Sequence, residues 1–410
     1  MPSSIFITIL LLSFQFLNMT KPFFTIVAWA AIMLSSCSKS EDFAEFEAQL
    51  EKPTAYASIP DDKRRTILDL DEPTSTVINQ SKRWFNTTNI VRVAPIAKNE
   101  LQLNSYSVKP IKDVRIYAHL AGYDEAFLIM QLDSIPRFSQ LEFTPSFLDK
   151  KATYKTKGGG YITFTAPSIP SDMTFSVESP DPHYQMLKKI DVSWNIRFSN
   201  FDWNESKGPE EGSWLELKAI YAREWVVFAT NFAYILSTPE FKSLFFNYEA
   251  AMGYKLHNNN QVPYTEEGMK DLFNLLRGNH TFNCGRTNIG GGLGGGGTWG
   301  VDHWNFYGQY GSFHGYDTFI HEFAHCKGFS HDSNVNQSWC FPTMVAQLHN
   351  YLVHQPTPGI PYETWKLLDF GNPEVYGKYC TKGVNKDWLV SPFNAESSVA
   401  KYLKSNPVKK

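Results

Sequence analysis

Thr318-Phe319-Ile320-His321-Glu322-Phe323-Ala324-His325-Cys326-Lys327-Gly328-Phe329-Ser330-His331-Asp332 is the stretch on which the reading of this chain turns. It contains H-E-x-x-H extended to H-E-x-x-H-x-x-G-x-x-H. On a helix, positions i and i+4 share a face, so His321 and His325 present two imidazole nitrogens to one metal ion. Glu322 lies one position round the helix, where its carboxylate reaches a water at the metal and serves as general base rather than ligand. Gly328 is placed to leave the helix through a positive-φ turn, which reverses the chain and lets His331 bring a third nitrogen. Three nitrogens leave Zn2+ one open position for water, which the metal acidifies while it polarises a carbonyl. At this composition the short pattern arises by chance in roughly 1 chain in 70 and the extended one in roughly 1 in 40,000, so the extension carries the assignment.

The surrounding sequence concentrates chemistry in the same half. Only His119 and His183 precede His257, and the other nine of 11 histidines lie from His257 to His354. No glutamate occurs between Glu322 and Glu363, so a third ligand from a glutamate on a later helix is disfavoured against His331. Asp317 is a candidate orienting carboxylate for a ligand histidine. His303, His314 and His349 read as polar neighbours of the motif or surface residues rather than ligands. The glycine run 290–300 holds G-x-G-x-x-G matches that its density makes automatic, and no G-K-[ST] phosphate loop follows. Apolar residues at helical spacing over 214–236 predict a helix, and Thr238-Pro239 and Thr265 read as N-caps of two more.

Earlier in the chain, short alternating or β-branched runs at 114–120, 126–132, 140–143, 161–164, 173–177 and 192–198 are separated by turn clusters, which predicts an all-β sandwich over residues 85–200. Residues 37–84 are polar with spaced charges and read as a tether with one short helix. Composition bounds the partners. With 38 basic against 41 acidic side chains and a net charge of -3, nothing points to a nucleic acid or a polybasic membrane contact. A 42% hydrophobic content over 410 residues allows a large core, and 15% aromatics favour β structure or a sugar- or peptide-stacking surface.

The motif resembles the zinc-binding signature of metzincin metallopeptidases. That resemblance implies an α+β metzincin-like catalytic domain, here residues 201–410, behind the all-β sandwich. It also implies His321, His325 and His331 as Zn2+ ligands, Glu322 as catalytic base, and a tight turn carrying a methionine beneath the metal, which Met344 supplies. Ala346 stands where several members have a tyrosine, so assistance from that position is absent. An edge strand pairing with extended substrate precedes the active-site helix in that family, a place the glycine run 290–300 occupies, with a flexible lid or a simple surface loop as the equal alternative; Gly296, Gly297, Thr298 and Trp299 are the candidate substrate-binding residues. The implied activity is hydrolysis of peptide bonds in extracellular or surface proteins.

The start of the chain reads as an address. Two apolar stretches, 5–17 and 22–34, are too short and poorly flanked to span a membrane. Leu34-Ser35-Ser36-Cys37 resembles the lipobox of bacterial lipoproteins, with residues 1–36 as signal peptide and Cys37 as lipid carrier. Such a protein is expected on the bacterial outer membrane, at the cell surface or facing the periplasm. Cys284, Cys326, Cys340 and Cys380 would then meet an oxidising compartment, and four cysteines allow three pairings. The competing reading is a surface adhesion or glycan-binding lipoprotein that contacts glycan through the β domain and holds a structural zinc.

Overall fold

Trp194, Ile196 and Phe198 are buried while Asn195 and Arg197 between them are not, so strand Trp194–Phe198 offers one apolar and one polar face. It lies inside a six-stranded mixed sheet. The order runs from edge strand Gly292–Gly295 to Thr298–Asp302, His280–Thr287, Trp194–Phe198 and Trp84–Asn86, with Trp214–Leu215 pairing the far end of His280–Thr287. Thr298–Asp302, His280–Thr287 and Trp194–Phe198 are parallel, and both outer strands are antiparallel to their neighbours. These coordinates are a computed structural model describing residues 59–148, 150–204, 206, 212–310, 313–357, 359–363 and 392–408, without the side chains of residues 303, 304, 307, 313 and 314.

The helix predicted over 214–236 starts later, at Ala219, and runs to Leu236 with all 18 residues buried. A helix this apolar all round must be covered on every side. Trp225 and Phe228 reach Trp299 of the sheet at 5.1 and 5.6 Å between ring centroids, and Phe228 stacks on Phe319 of the motif helix at 3.9 Å. Thr238 and Thr265 cap as expected: each side-chain oxygen accepts a backbone N–H three residues on, opening helices Pro239–Phe246 and Glu266–Arg277.

Upstream, strands Arg64–Thr66, Ser139–Phe143, Glu100–Ser105 and Val91–Ala97 form one antiparallel sheet, and Thr174–Glu178, Ile111–His119 and Phe127–Ile135 a second. Leu101, Leu103 and Leu141 from the first meet Val114, Ile116 and Ile129 from the second in one apolar core. Hairpin Ala152–Lys155/Tyr161–Phe164 adds Tyr154 and Phe164 to it. The protein is thus a mixed α and β structure with several sheets.

Two boundaries differ from the sequence reading. From residue 59 the expected tether is built into the fold: Ile67, Leu68 and Val77 are fully buried in the core that also holds the motif helix. The buried Arg223 donates to the Leu68 carbonyl, fixing this segment to the long helix. The boundary expected at 200/201 falls beyond a strand that belongs to the mixed sheet, because Trp194–Phe198 pairs with both Trp84–Asn86 and His280–Thr287. Both cores lie within one compact unit, Ala55–Lys410. Among the described residues no helix is long and apolar enough to cross a membrane. Cys37 and the whole signal segment lie outside the described residues.

Candidate metal centre

Helix Phe313–Cys326 carries the motif. It ends where Phe329 N–H bonds Ala324 O and Gly328 N–H bonds His325 O, both at 3.0 Å, with Gly328 at φ +89°. This is the six-to-one and five-to-two pairing of a Schellman cap, and the left-handed residue at its centre explains why glycine stands there. The chain then turns back toward the helix, as the spacing predicts. Asn259 braces the turn from another loop, donating to Gly328 O at 3.0 Å and accepting from Ser330 N at 2.9 Å. Ser333 Oγ donates to His257 O, and Asn334 accepts from His257 N.

The turn brings His331 onto the two helix histidines. Its Nε2 lies 3.1 Å from His325 Nε2 and 3.3 Å from His321 Nε2. Among the described residues this is the one cluster of three or more histidine, cysteine or acidic side chains able to hold a metal ion. His321 Nδ1 faces the Asn336 carbonyl and His325 Nδ1 faces the Phe329 carbonyl, each at 2.8 Å. Those acceptors place the ring proton on Nδ1 and leave the Nε2 lone pairs pointing at one another, as metal ligation requires. Burial lowers the pKa of both helix histidines, which favours the neutral ligating form. Backbone carbonyls thus orient both rings, rather than the Asp317 carboxylate. Asp317 is itself buried, and burial raises it to about 7.

Glu322 is 5% exposed, and burial raises its carboxyl to about 8. Its close neighbour is the edge strand. A methyl group placed on Gly292 would fall 2.6 Å from Glu322 Cγ and 2.5 Å from Gly300 O, and one on Gly294 would overlap the Glu322 carbonyl. The strand therefore seats on the helix at the motif glutamate only because it has no side chains there. Gly294→Ala should destabilise the fold by about 1–3 kcal/mol through this overlap. Thermal unfolding measures it, and an unchanged melting temperature would mean that strand and helix do not meet in solution.

The other sequence candidates separate. Gly296 and Gly297 form the turn joining strands Gly292–Gly295 and Thr298–Asp302, with Gly296 exposed at φ +55°. Thr298 offers its carbonyl to Cys326 Sγ at 2.8 Å. Trp299 is corrected from a cleft residue to a core one: it is fully buried, its Nε1 donates to Phe319 O at 2.9 Å, and Trp225, Phe228, Phe282 and Phe323 surround it. Met344 lies within helix Phe341–Val353, its N–H bonded to Cys340 O, so it is a buried helical residue rather than part of a tight turn. Cys284, Cys326 and Cys340 are free thiols, and burial raises Cys326 to about 12, which makes it an inert core sulfur. Cys380 lies outside the described residues. His349 stacks on Tyr316 at 4.2 Å, and the side chains of His303 and His314 are not among those described.

Sequence reasoning missed Asn336, whereas Gly292 and Gly294 lie in the glycine run it read as an edge strand open to close backbone approach. The glycines carried a signal in the run itself, but an asparagine in a polar turn carries none. In comparisons with known proteins the chain matches no family model, no curated protein and no solved structure.

Proposed function

We propose that the protein is a zinc-dependent endopeptidase of metzincin type, acting on extracellular or surface proteins from a lipid anchor at Cys37 on the bacterial outer membrane. The observation that carries this reading is the convergence of the three Nε2 atoms, with both helix Nδ1 atoms engaged by carbonyls and a carboxylate at the adjoining helical position. The donor set fits the group: three neutral imidazoles suit a borderline-soft cation such as Zn2+, and a site held by three protein ligands leaves room for a reactant. His321, His325 and His331 would hold the ion. When bound, it supplies Lewis acidity toward a carbonyl and acidifies water.

The remaining work falls to the chain. Glu322 serves as base in its carboxylate form, which the positive charge of a bound cation would favour against burial; it then accepts the proton of the attacking water and later delivers it to the leaving amine. An extended substrate pairs along the open side of Gly292–Gly295, where main-chain groups of an edge strand supply the hydrogen bonds. In this reading a peptide fixed there would present its carbonyl to Glu322 and the triad, so that attack proceeds within one complex.

Metal analysis of the purified protein should return one zinc per chain, and proteome-wide cleavage profiling should show cuts that chelation abolishes and added zinc restores. Protein free of bound metal, or a cleavage profile unaffected by chelation, would end this reading.

A further inference from the structure

We propose that Asn336 is the positioning residue of the metal site, one buried side chain and its own carbonyl holding both helix histidines in their ligating orientation. This rests on the metal-site reading above. Asn336 is fully buried and lies on the loop beyond His331, not on the motif helix. Its carbonyl oxygen accepts from His321 Nδ1 at 2.8 Å. Its amide Nδ2 donates to Phe329 O at 2.9 Å; its 2.8 Å approach to His325 Nδ1 is no hydrogen bond once that nitrogen carries the ring proton, so the amide acts through the carbonyl. Phe329 O is the same carbonyl that faces His325 Nδ1, so the amide fixes the acceptor that sets the ring.

The adjoining residue extends the arrangement to the third ligand, since Gln337 Nε2 donates to His331 O at 3.2 Å. Backbone bonds from Asn336 N and Gln337 N to Ser333 O tie this short turn together. Both helix imidazoles and the main chain of His331 are therefore referenced to one turn.

A purely structural role would favour a different residue. Asn336 Oδ1 is buried and has no hydrogen-bond partner among the described residues. Leaving such an oxygen unsatisfied costs about 1–3 kcal/mol, which an apolar residue of the same size avoids. What the amide supplies and leucine cannot is the N–H donated to the Phe329 carbonyl.

The test compares intact wild type with Asn336→Leu, which keeps the volume and removes the amide, and Asn336→Ala, which removes it without adding bulk. Zinc affinity is measured by chelator competition, the visible spectrum is recorded with cobalt(II) in the site, and melting temperature is taken on the metal-free proteins. The expected result is a metal affinity about 10–100-fold weaker in both variants, the loss typical when a group orienting a ligand is removed. The cobalt spectrum should also change, while the metal-free Leu variant melts at or above wild type. Wild-type affinity and spectrum in either folded variant would overturn the proposal. So would an affinity loss accounted for by a fall in metal-free stability. A wild type that binds neither zinc nor cobalt would instead remove the metal-site reading beneath it.

Discussion

Glu322→Gln should take up zinc as wild type does and hydrolyse peptides about 10²–10⁴-fold more slowly, the usual contribution of a positioned general base. Glutamine keeps the shape that fits against Gly292 and Gly294 but cannot accept the proton. Metal binding should persist because the glutamate is not among the three clustered donors. The substitution should also change how the metal-free protein responds to pH. Burial raises the Glu322 carboxyl from 4.5 to about 8, so the fold retains a proton that the unfolded chain gives up. Its contribution to stability is whole below about pH 4.5 and is lost as pH rises toward 8, at no more than about 1.4 kcal/mol per pH unit. Glu322→Gln should flatten that slope. A variant with wild-type turnover would exclude Glu322 as the base, and an unchanged slope would place its titration elsewhere.

His331→Ala should weaken zinc binding by more than the roughly 10–100-fold expected when a group behind a ligand is removed. Activity should fall with it. The fold should survive, because the turn is held by Asn259, Ser333 and Asn334 rather than by the imidazole. Acid should act in the same direction. Burial lowers the pKa of His321 and His325 from 6.5, and the nearby His331 pushes both further down. The folded protein thus binds fewer protons than the unfolded chain, and metal-free stability drops as pH falls below about 6.5. Removing His331 takes away one of the repelling neighbours and should make that drop shallower. Chelator competition and melting curves across pH 5–8 measure both effects. Wild-type affinity in the variant would show that a third nitrogen is not needed.

The candidate site was largely legible because metal ligation imposes spacing. The i, i+4 pair, the glycine exit and the returning histidine occupy the places that the sequence order required, and the N-caps at Thr238 and Thr265 were equally local signals. Failures came where the deciding partner is distant in sequence. Ile67, Leu68 and Val77 are too sparse among charged residues to look like core, and their burial depends on a helix about 150 positions away. Trp299 follows a strand period that is the same whether its ring faces a cleft or the interior, and the rings of Trp225 and Phe228 decide the matter. Met344 had the expected distance from His331, but Pro342 opens a helix there instead of closing a turn. Asn336 could not have been chosen, since polar turns contain asparagine for backbone reasons alone.

The position of Trp194–Phe198 in the middle of the mixed sheet also governs how the protein can be divided. A cut at residue 201, natural on sequence grounds, would strip this strand from His280–Thr287 and expose Phe282 and Cys284 along an unpaired parallel edge. Such an edge recruits other chains. A fragment meant to isolate the histidine-bearing half would therefore be prone to self-association, and a proteolytic nick after Phe198 would leave the two pieces bound through the sheet rather than free to separate.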